Sequence, residues 1–277
     1  MLRLSGYLGE RFPPVAYTLL VGLFFGSAVS VATVGGVGVV TPGAWAGSAV
    51  MWLAFFHLRV FDEHKDAASD LAAYPDRLLS RGVVTLPLLT RVAVVAVLAE
   101  AGLSASIGTR ALLAWAGVFV FTLLMRVEFG LGRWIRPRIL LYAVTHNPVV
   151  GLLAIFGWAC TTAPWIPRFL FYVAAASIGS LAFEIARKTR LADEEVPGVD
   201  SYSSVHGRRR VTGILWALAA ATVGCAFWIG PIAGGISAAG GLISVVLAAP
   251  GRRAKHVELG GTLLLLMTLL GALVETW

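Results

Sequence analysis

The chain has 277 residues, of which 58% are hydrophobic and only 13% are charged, and its formal net charge is +7. A soluble domain carries about 25% charged residues, so the composition excludes an ordinary soluble protein and predicts a polytopic membrane protein with one domain over residues 1–277. Cys160 and Cys225 lie in or beside apolar segments without the spacing of a metal site, and we interpret both as packing residues.

Nine apolar segments have the length of about 20 residues that a helix needs to cross a bilayer. Short connections that contain Gly or Pro separate them. The sequence therefore predicts an all-α fold with nine transmembrane helices. Their approximate bounds are 14–34, 42–61, 83–104, 109–127, 139–160, 165–186, 211–229, 231–249 and 257–276.

Basic residues are concentrated in alternate connections. The N-terminal tail and the even-numbered connections are rich in Arg and Lys, whereas the odd-numbered connections contain one basic residue or none. Because basic loops stay in the cytoplasm, this pattern predicts a multi-pass protein of the inner or plasma membrane with its N-terminus inside and its C-terminus outside. Orientation and contact with anionic lipids explain the net charge, and no nucleic-acid partner is required.

The largest charged interruption runs from His57 to Leu86, between two apolar segments. Asp62, Asp66 and Asp70 are spaced i, i+4, i+8, so a helix would place them along one side. Stacked carboxylates repel one another unless a cation joins them, and Mg²⁺ takes oxygen ligands while keeping waters or phosphates in its other positions. This segment predicts a magnesium and diphosphate site. A solvated interhelical loop of mixed charge is the alternative.

The sixth connection repeats this mixture of acids and bases, which suggests two clusters at the same membrane face. The candidate metal ligands are the acids of both segments: Asp62, Glu63, Asp66, Asp70, Glu184 and Glu194. The candidate diphosphate-binding residues are the nearby cations: Arg59, Lys65, Arg77, Arg126, Arg187, Lys188 and Arg190.

Polar side chains within a span need an explanation, because burying them in lipid is costly. His146 and Asn147 lie about two turns into the fifth predicted span, next to Pro148, which would free a backbone carbonyl and open the helix. One of them could contact the diphosphate or act as a catalytic base. An interhelical hydrogen bond is the structural alternative, and the sequence leaves both open. Glu100, in the third span, is interpreted as a structural partner of another helix.

The sequence resembles the UbiA superfamily of intramembrane prenyltransferases. Residues 62–70 (DEHKDAASD) resemble the first aspartate-rich motif of that family, NDxxDxxxD, with Asp62 where the family usually has Asn. Residues 74–82 (YPDRLLSRG) resemble the segment that continues this motif, and residues 198–207 (GVDSYSSVHG) resemble the segment after the second motif. The likeness covers essentially the whole chain.

The resemblance implies a helical bundle with a central cavity and a cytoplasmic cap formed by residues 59–82 and 187–210. It implies Mg²⁺-dependent transfer of an isoprenoid from a prenyl diphosphate to a small acceptor, aromatic acceptors included, with catalytic roles for Asp62, Asp66 and Asp70. The second cluster lacks the usual DxxxD pattern and is interspersed with cations, so we expect it to clamp the diphosphate more than to bind metal. An intramembrane terpene cyclase is the alternative function, and a metal transporter is a more distant one.

Overall fold

The computed structural model describes residues 2–33 and 42–276, and within these ranges the protein is all-α, with no β-strand. Two 3₁₀ turns, Glu128–Gly130 and Ala192–Glu194, lie in the connections. In chain order the helices are α1 (Leu2–Arg11), α2 (Pro14–Thr33), α3 (Pro42–Ala73), α4 (Leu86–Ile107), α5 (Thr109–Arg126), α6 (Gly132–Ile135), α7 (Ile139–His146), α8 (Pro148–Ala159), α9 (Pro167–Arg187), α10 (Tyr202–His206), α11 (Arg208–Ile229), α12 (Pro231–Leu247) and α13 (Ala254–Val274).

Among the described residues, eight helical segments are long and apolar enough to cross a membrane. α7 and α8 together form one of them, Ile139–Ala159. α12 is apolar but has only 17 residues, and at 1.5 Å per residue it spans about 25 Å, less than the roughly 30 Å of a bilayer core. The predicted integral, multi-pass helical fold is confirmed. The ninth span and the N-in, C-out orientation stay predictions.

Proline and glycine set helix boundaries where the sequence predicts them. α7 ends at His146 and α8 begins at Pro148, because proline has no N–H to donate to the carbonyl one turn earlier. Gly230 separates α11 from α12, and its own N–H bonds back to the Ala226 carbonyl. The predicted interruption of the fifth span is therefore present, between two short helices.

α12 packs closely against α13 because glycines face the partner helix. A side chain on Gly260 would begin 3.1 Å from the Ser244 Cα, and one on Gly271 would begin 2.9 Å from the Ala233 carbonyl oxygen. Small residues let membrane helices approach until their backbones touch. This contact holds the short α12 within the bundle.

A buried polar network joins α3, α4 and α5. His57 Nδ1 lies 2.8 Å from Glu100 Oε1, and both side chains are 0% exposed. The Trp115 indole N–H donates to the other oxygen of Glu100 at 2.9 Å, and Thr122 lies 3.3 Å from His57 Nε2. Because polar groups need partners inside a membrane, this network fixes the rotation of α3, and Glu100 has the structural role that we predicted.

The helices alternate in direction, so charged termini gather at one end of the bundle. Lys65 on α3 donates to Tyr142 at the start of α7. Glu194, after α9, accepts from the first residue of α13. The two predicted cap segments, 59–82 and 187–210, both lie at this end, which we call the polar end.

Candidate functional site

One face of α3 is bound by arginines. Arg11 Nε and Arg59 Nη2 donate to the same oxygen of Glu63, at 2.7 and 2.9 Å, and only 2% of the Glu63 side chain is exposed. Asp70, seven residues later, accepts hydrogen bonds from Arg77 and, at 3.4 Å, from Arg11. We call these five residues the arginine-paired face.

The predicted single row of Asp62, Asp66 and Asp70 is therefore divided. An α-helix turns about 100° per residue, so positions i and i+8 differ by about 80°. That rotation turns Asp70 toward α1, whereas the charges of Asp62 and Asp66 act on Tyr142 of α7. Glu63 and Asp70, both predicted as metal ligands, are instead engaged by guanidinium groups.

The second face of α3 is directed at α7. Lys65 Nζ donates to the Tyr142 hydroxyl at 2.7 Å and lies 3.4 Å from Asp62 Oδ1. The Lys65 side chain is 7% exposed, whereas that of Asp62 is 44% exposed. Asp66 lies within electrostatic range of both. Two carboxylates thus lie around a buried ammonium group.

The end of α9 supplies the opposing cations. Arg187 Nε donates to one oxygen of Glu184 at 2.5 Å, and Lys188 Nζ lies 3.0 Å from the other, as expected for residues one helical turn apart. Arg187 is also within electrostatic range of Asp62, and Lys188 is within range of Asp66. The acids of α3 and the cations at the end of α9 are therefore close enough for their charges to interact.

His146 lies beside this set. Its ring stacks on Tyr142 with centroids 4.0 Å apart, and its Nδ1 donates to the Tyr142 carbonyl at 2.8 Å. Because a carbonyl can only accept, the neutral ring carries its lone pair on Nε2. That atom is buried and makes no hydrogen bond of normal geometry, although the Met125 main chain lies nearby. We call the following residues the inner cluster: Asp62, Lys65, Asp66, Tyr142, His146, Glu184, Arg187 and Lys188.

A strained turn covers one side of the His146 ring. Glu128 and Phe129 have φ angles of 52° and 56°, a conformation that residues other than glycine rarely adopt. Arg136 holds the Glu128 carboxylate at 2.6–2.7 Å, and Phe129 then packs edge-on against His146 with centroids 5.5 Å apart. Strain of this kind is often found at functional sites. The sequence offers no local signal for this turn.

Two predicted residues of the sixth connection lie elsewhere. Glu194 accepts backbone hydrogen bonds from Ala254 at 2.8 Å and Leu191 at 3.1 Å, and these donors hold the pKa of its carboxyl below the usual value. It caps the start of α13, as acids do at helix N-termini. The main-chain N–H of Arg190 donates to Ser203 in the same connection. Neither residue contacts the inner cluster through a described hydrogen bond.

Two further candidates have structural contacts. The Asn147 side-chain amide donates to the Ser177 carbonyl on α9 at 2.9 Å, which is the interhelical bond of our structural alternative. The Arg126 guanidinium lies 5.1 Å from the centre of the Phe61 ring, and its side chain is exposed. Of the seven predicted phosphate-binding cations, only Lys65, Arg187 and Lys188 lie in the inner cluster.

The donor set fits a magnesium ion that is shared with a substrate. In the described part of the chain, no three Asp, Glu, His or Cys side chains are grouped so as to hold a metal ion by themselves. Mg²⁺ is commonly bound by one or two carboxylates together with substrate phosphates. Asp62 and Asp66, one turn apart on α3, provide that minimum, whereas Glu184 is already paired with two cations.

A partly open cavity of about 320 Å³ borders the arginine-paired face. Glu63, Asp70, Arg77 and Thr85 contribute to its wall. Glu63 in this wall is 2% exposed and is bound by two arginines, whereas Asp62 of the inner cluster is 44% exposed and pairs with one lysine, so a ligand reaches Asp62 more easily. We therefore place the candidate site at the inner cluster.

Two residues that contact predicted site residues were missed in the sequence. Tyr142 precedes His146 by four residues, so the helical spacing alone would have put both on one face. Arg11 precedes the first span, and only the fold brings it to Glu63 and Asp70. Its role had no signal in the local sequence.

Comparison with known proteins identifies the fold. The sequence matches no protein-family model and no curated protein sequence. The structure is similar to that of digeranylgeranylglyceryl phosphate synthase, with a TM-score of 0.68 at 15% identity over 100% of this chain and 99% of that chain. It is also similar to the apo structure of a UbiA homolog from Aeropyrum pernix K1, with a TM-score of 0.66 at 18% identity over 93% of this chain and 96% of that chain. The predicted resemblance is thereby confirmed at the level of architecture, and the chain has the UbiA-type membrane fold.

Proposed function

We propose that the protein is a Mg²⁺-dependent intramembrane prenyltransferase, which transfers an isoprenoid from a prenyl diphosphate to a small acceptor. One observation carries this proposal: in the inner cluster, two carboxylates of α3 lie within electrostatic range of two cations at the end of α9. A diphosphate with Mg²⁺ complements such a pair of surfaces, because the metal joins the acids and the cations bind the phosphate oxygens. The shared fold with a digeranylgeranylglyceryl phosphate synthase supports the same reaction class.

In this proposal, Arg187 and Lys188 bind the diphosphate from the α9 side and Lys65 binds it from α3. Asp62 and Asp66 would hold Mg²⁺, which when bound supplies positive charge to the leaving diphosphate. Heterolysis of the C–O bond leaves the electron pair on diphosphate and an allylic cation on the isoprenoid. The three cations stabilise the negative charge where it develops.

His146 is the proposed proton acceptor. The acceptor substrate bonds to the allylic carbon and must then lose a proton, and His146 Nε2 accepts it, since Nδ1 of the neutral ring donates to the Tyr142 carbonyl. The neighbouring rings of Tyr142 and Phe129 shield the site from water and stabilise a nearby cation. We further propose that the site opens to the cytoplasm, since the basic connections lie at the polar end.

Asp66→Asn tests the proposal, with Asp76→Asn as the matched control. Asp76 is an exposed acid in the connection after α3, so both variants make the same change of charge at the polar end. Purified protein with Mg²⁺ and C10, C15 or C20 prenyl diphosphates should release diphosphate, and Asp66→Asn should reduce that rate by about 100-fold or more, while Asp76→Asn keeps it. Equal rates in both variants would contradict the proposal. A ring-containing hydrocarbon or alcohol formed without an acceptor would identify a terpene cyclase instead.

A further inference from the structure

Three side chains of α11 form a line along the end of α12. Arg208, Thr212 and Trp216 are spaced i, i+4, i+8 and therefore share a helix face. Thr212 Oγ1 and Trp216 Nε1 donate to the carbonyls of Ala248 and Val245, both at 3.1 Å. The last carbonyls of a helix have no partner within it, so these donors complete the hydrogen bonding of α12 at the polar end.

Arg208, at the head of this line, is only partly satisfied. Its Nη2 donates to the Arg252 carbonyl at 3.1 Å, but Nε and Nη1 are buried without a hydrogen-bond partner. His206 Nε2, at the end of α10, and His256 Nδ1, in the first turn of α13, are also buried without a hydrogen-bond partner. A guanidinium group presents donors that match the oxygens of a phosphate. An anionic oxygen near Arg208 could therefore accept from Nε and Nη1.

The surroundings of Arg208 are strongly basic. The acids that contact this region come from the connection after α9, and both Asp193 and Glu194 pair with Arg253, at 3.3 and 3.6 Å. The remaining cations have no carboxylate within ion-pair distance in the described structure. The basic residues at the starts of α11 and α13 are Arg208, Arg209, Arg210, Arg252, Arg253 and Lys255.

An apolar groove continues the same line toward the middle of the bundle. It has a volume of about 510 Å³ between α11 and α12, and its α11 wall runs from Trp216 through Val223 and Gly224 to Phe227. A side chain on Gly224 would meet no atom within 4 Å, so the floor of the groove is open. On the α12 side Leu242 is 70% exposed. The groove therefore begins where the line of donors ends.

We propose that this surface binds one anionic phospholipid of the bilayer. The phosphate lies at Arg208, and an acyl chain passes Trp216 and occupies the groove beyond it. Charge complementarity selects this occupant, because the surface around Arg208 offers unpaired donors and cations while the groove beyond Trp216 is apolar. Basic pockets between membrane helices bind anionic headgroups for this reason. The site is separate from the inner cluster, and the inference does not depend on the proposed reaction.

Native mass spectrometry of the delipidated full-length protein tests this site. Phosphatidylglycerol and phosphatidylcholine with the same acyl chains are added at equal concentration, and bound lipid is counted. We expect one phosphatidylglycerol to bind about tenfold more tightly than phosphatidylcholine. Arg208→Gln should abolish this preference, whereas Arg210→Gln should keep it, because Arg210 is exposed and lies two residues further round the helix.

Gly224→Leu provides a second test, which changes the apolar groove and leaves the proposed phosphate site at Arg208 intact. A Cβ at this position meets no atom within 4 Å, and leucine favours a helix more than glycine does. The protein should therefore fold while its affinity for phosphatidylglycerol falls. Four results would overturn the proposal: equal binding of both lipids, equal losses in Arg208→Gln and Arg210→Gln, full displacement of the lipid by inorganic phosphate, or a lipid-free dimer that Gly224→Leu dissociates.

Discussion

Glu63→Gln is expected to lower the free energy of unfolding by about 2–3 kcal/mol. The carboxylate accepts from both Arg11 and Arg59 and is 2% exposed, so an amide would leave Arg59 without its anion and Arg11 with only its 3.4 Å contact to Asp70. Breaking a fully buried ion pair costs about 3–5 kcal/mol. Here the two arginines are 17% and 24% exposed, and their contact with water reduces the loss below that range.

A double-mutant cycle isolates the Arg11–Glu63 pair. Unfolding of the wild type, Arg11→Gln, Glu63→Gln and the double variant in mixed micelles with increasing SDS, followed by circular dichroism, gives the four free energies. We expect a coupling free energy between Arg11 and Glu63 of about 1.5–3 kcal/mol. Asp76→Asn should leave the free energy of unfolding unchanged. A coupling near zero, with loss of Mg²⁺-dependent diphosphate release in Glu63→Gln, would refute this reasoning and make Glu63 a metal ligand.

Three further outcomes are expected. Lys65→Met should slow diphosphate release by about 100-fold, measured by a phosphate-coupled assay, while thermal unfolding shows that the variant is still folded at the assay temperature. His146→Ala should slow product formation by about 100-fold, whereas Asn147→Ala should keep the rate but lower the stability by about 1 kcal/mol, because it loses its bond to an α9 carbonyl. The pKa of Glu194 is lowered in the folded protein, so its stabilisation is complete above its unfolded value of about 4.3 and declines as the pH falls through the lower folded value. The difference in melting temperature between wild type and Glu194→Gln should therefore shrink below about pH 4.

The sequence by itself determined the class of protein and most of its helices. Continuous apolar length predicts where a helix crosses a bilayer, since every backbone group there must bond within its own segment. Pro148 and Gly230 end helices through local backbone chemistry, and both boundaries lie where the sequence predicts them. The two charged segments lie at the polar end of the bundle, and their role as a cytoplasmic cap stays a prediction.

Only the tertiary structure decided what each charged side chain does. Their spacing alone placed Asp62, Asp66 and Asp70 in one group. A helix rotates by about 80° over eight residues, so Asp70 pairs with arginine while Asp62 and Asp66 belong to the inner cluster. Glu194 is an acid and could in principle bind a metal ion, but its position in the fold makes it the cap of α13. The partner of a polar group inside a bundle depends on how neighbouring helices are rotated and crossed, and the packing that sets those rotations comes from residues far away in the chain.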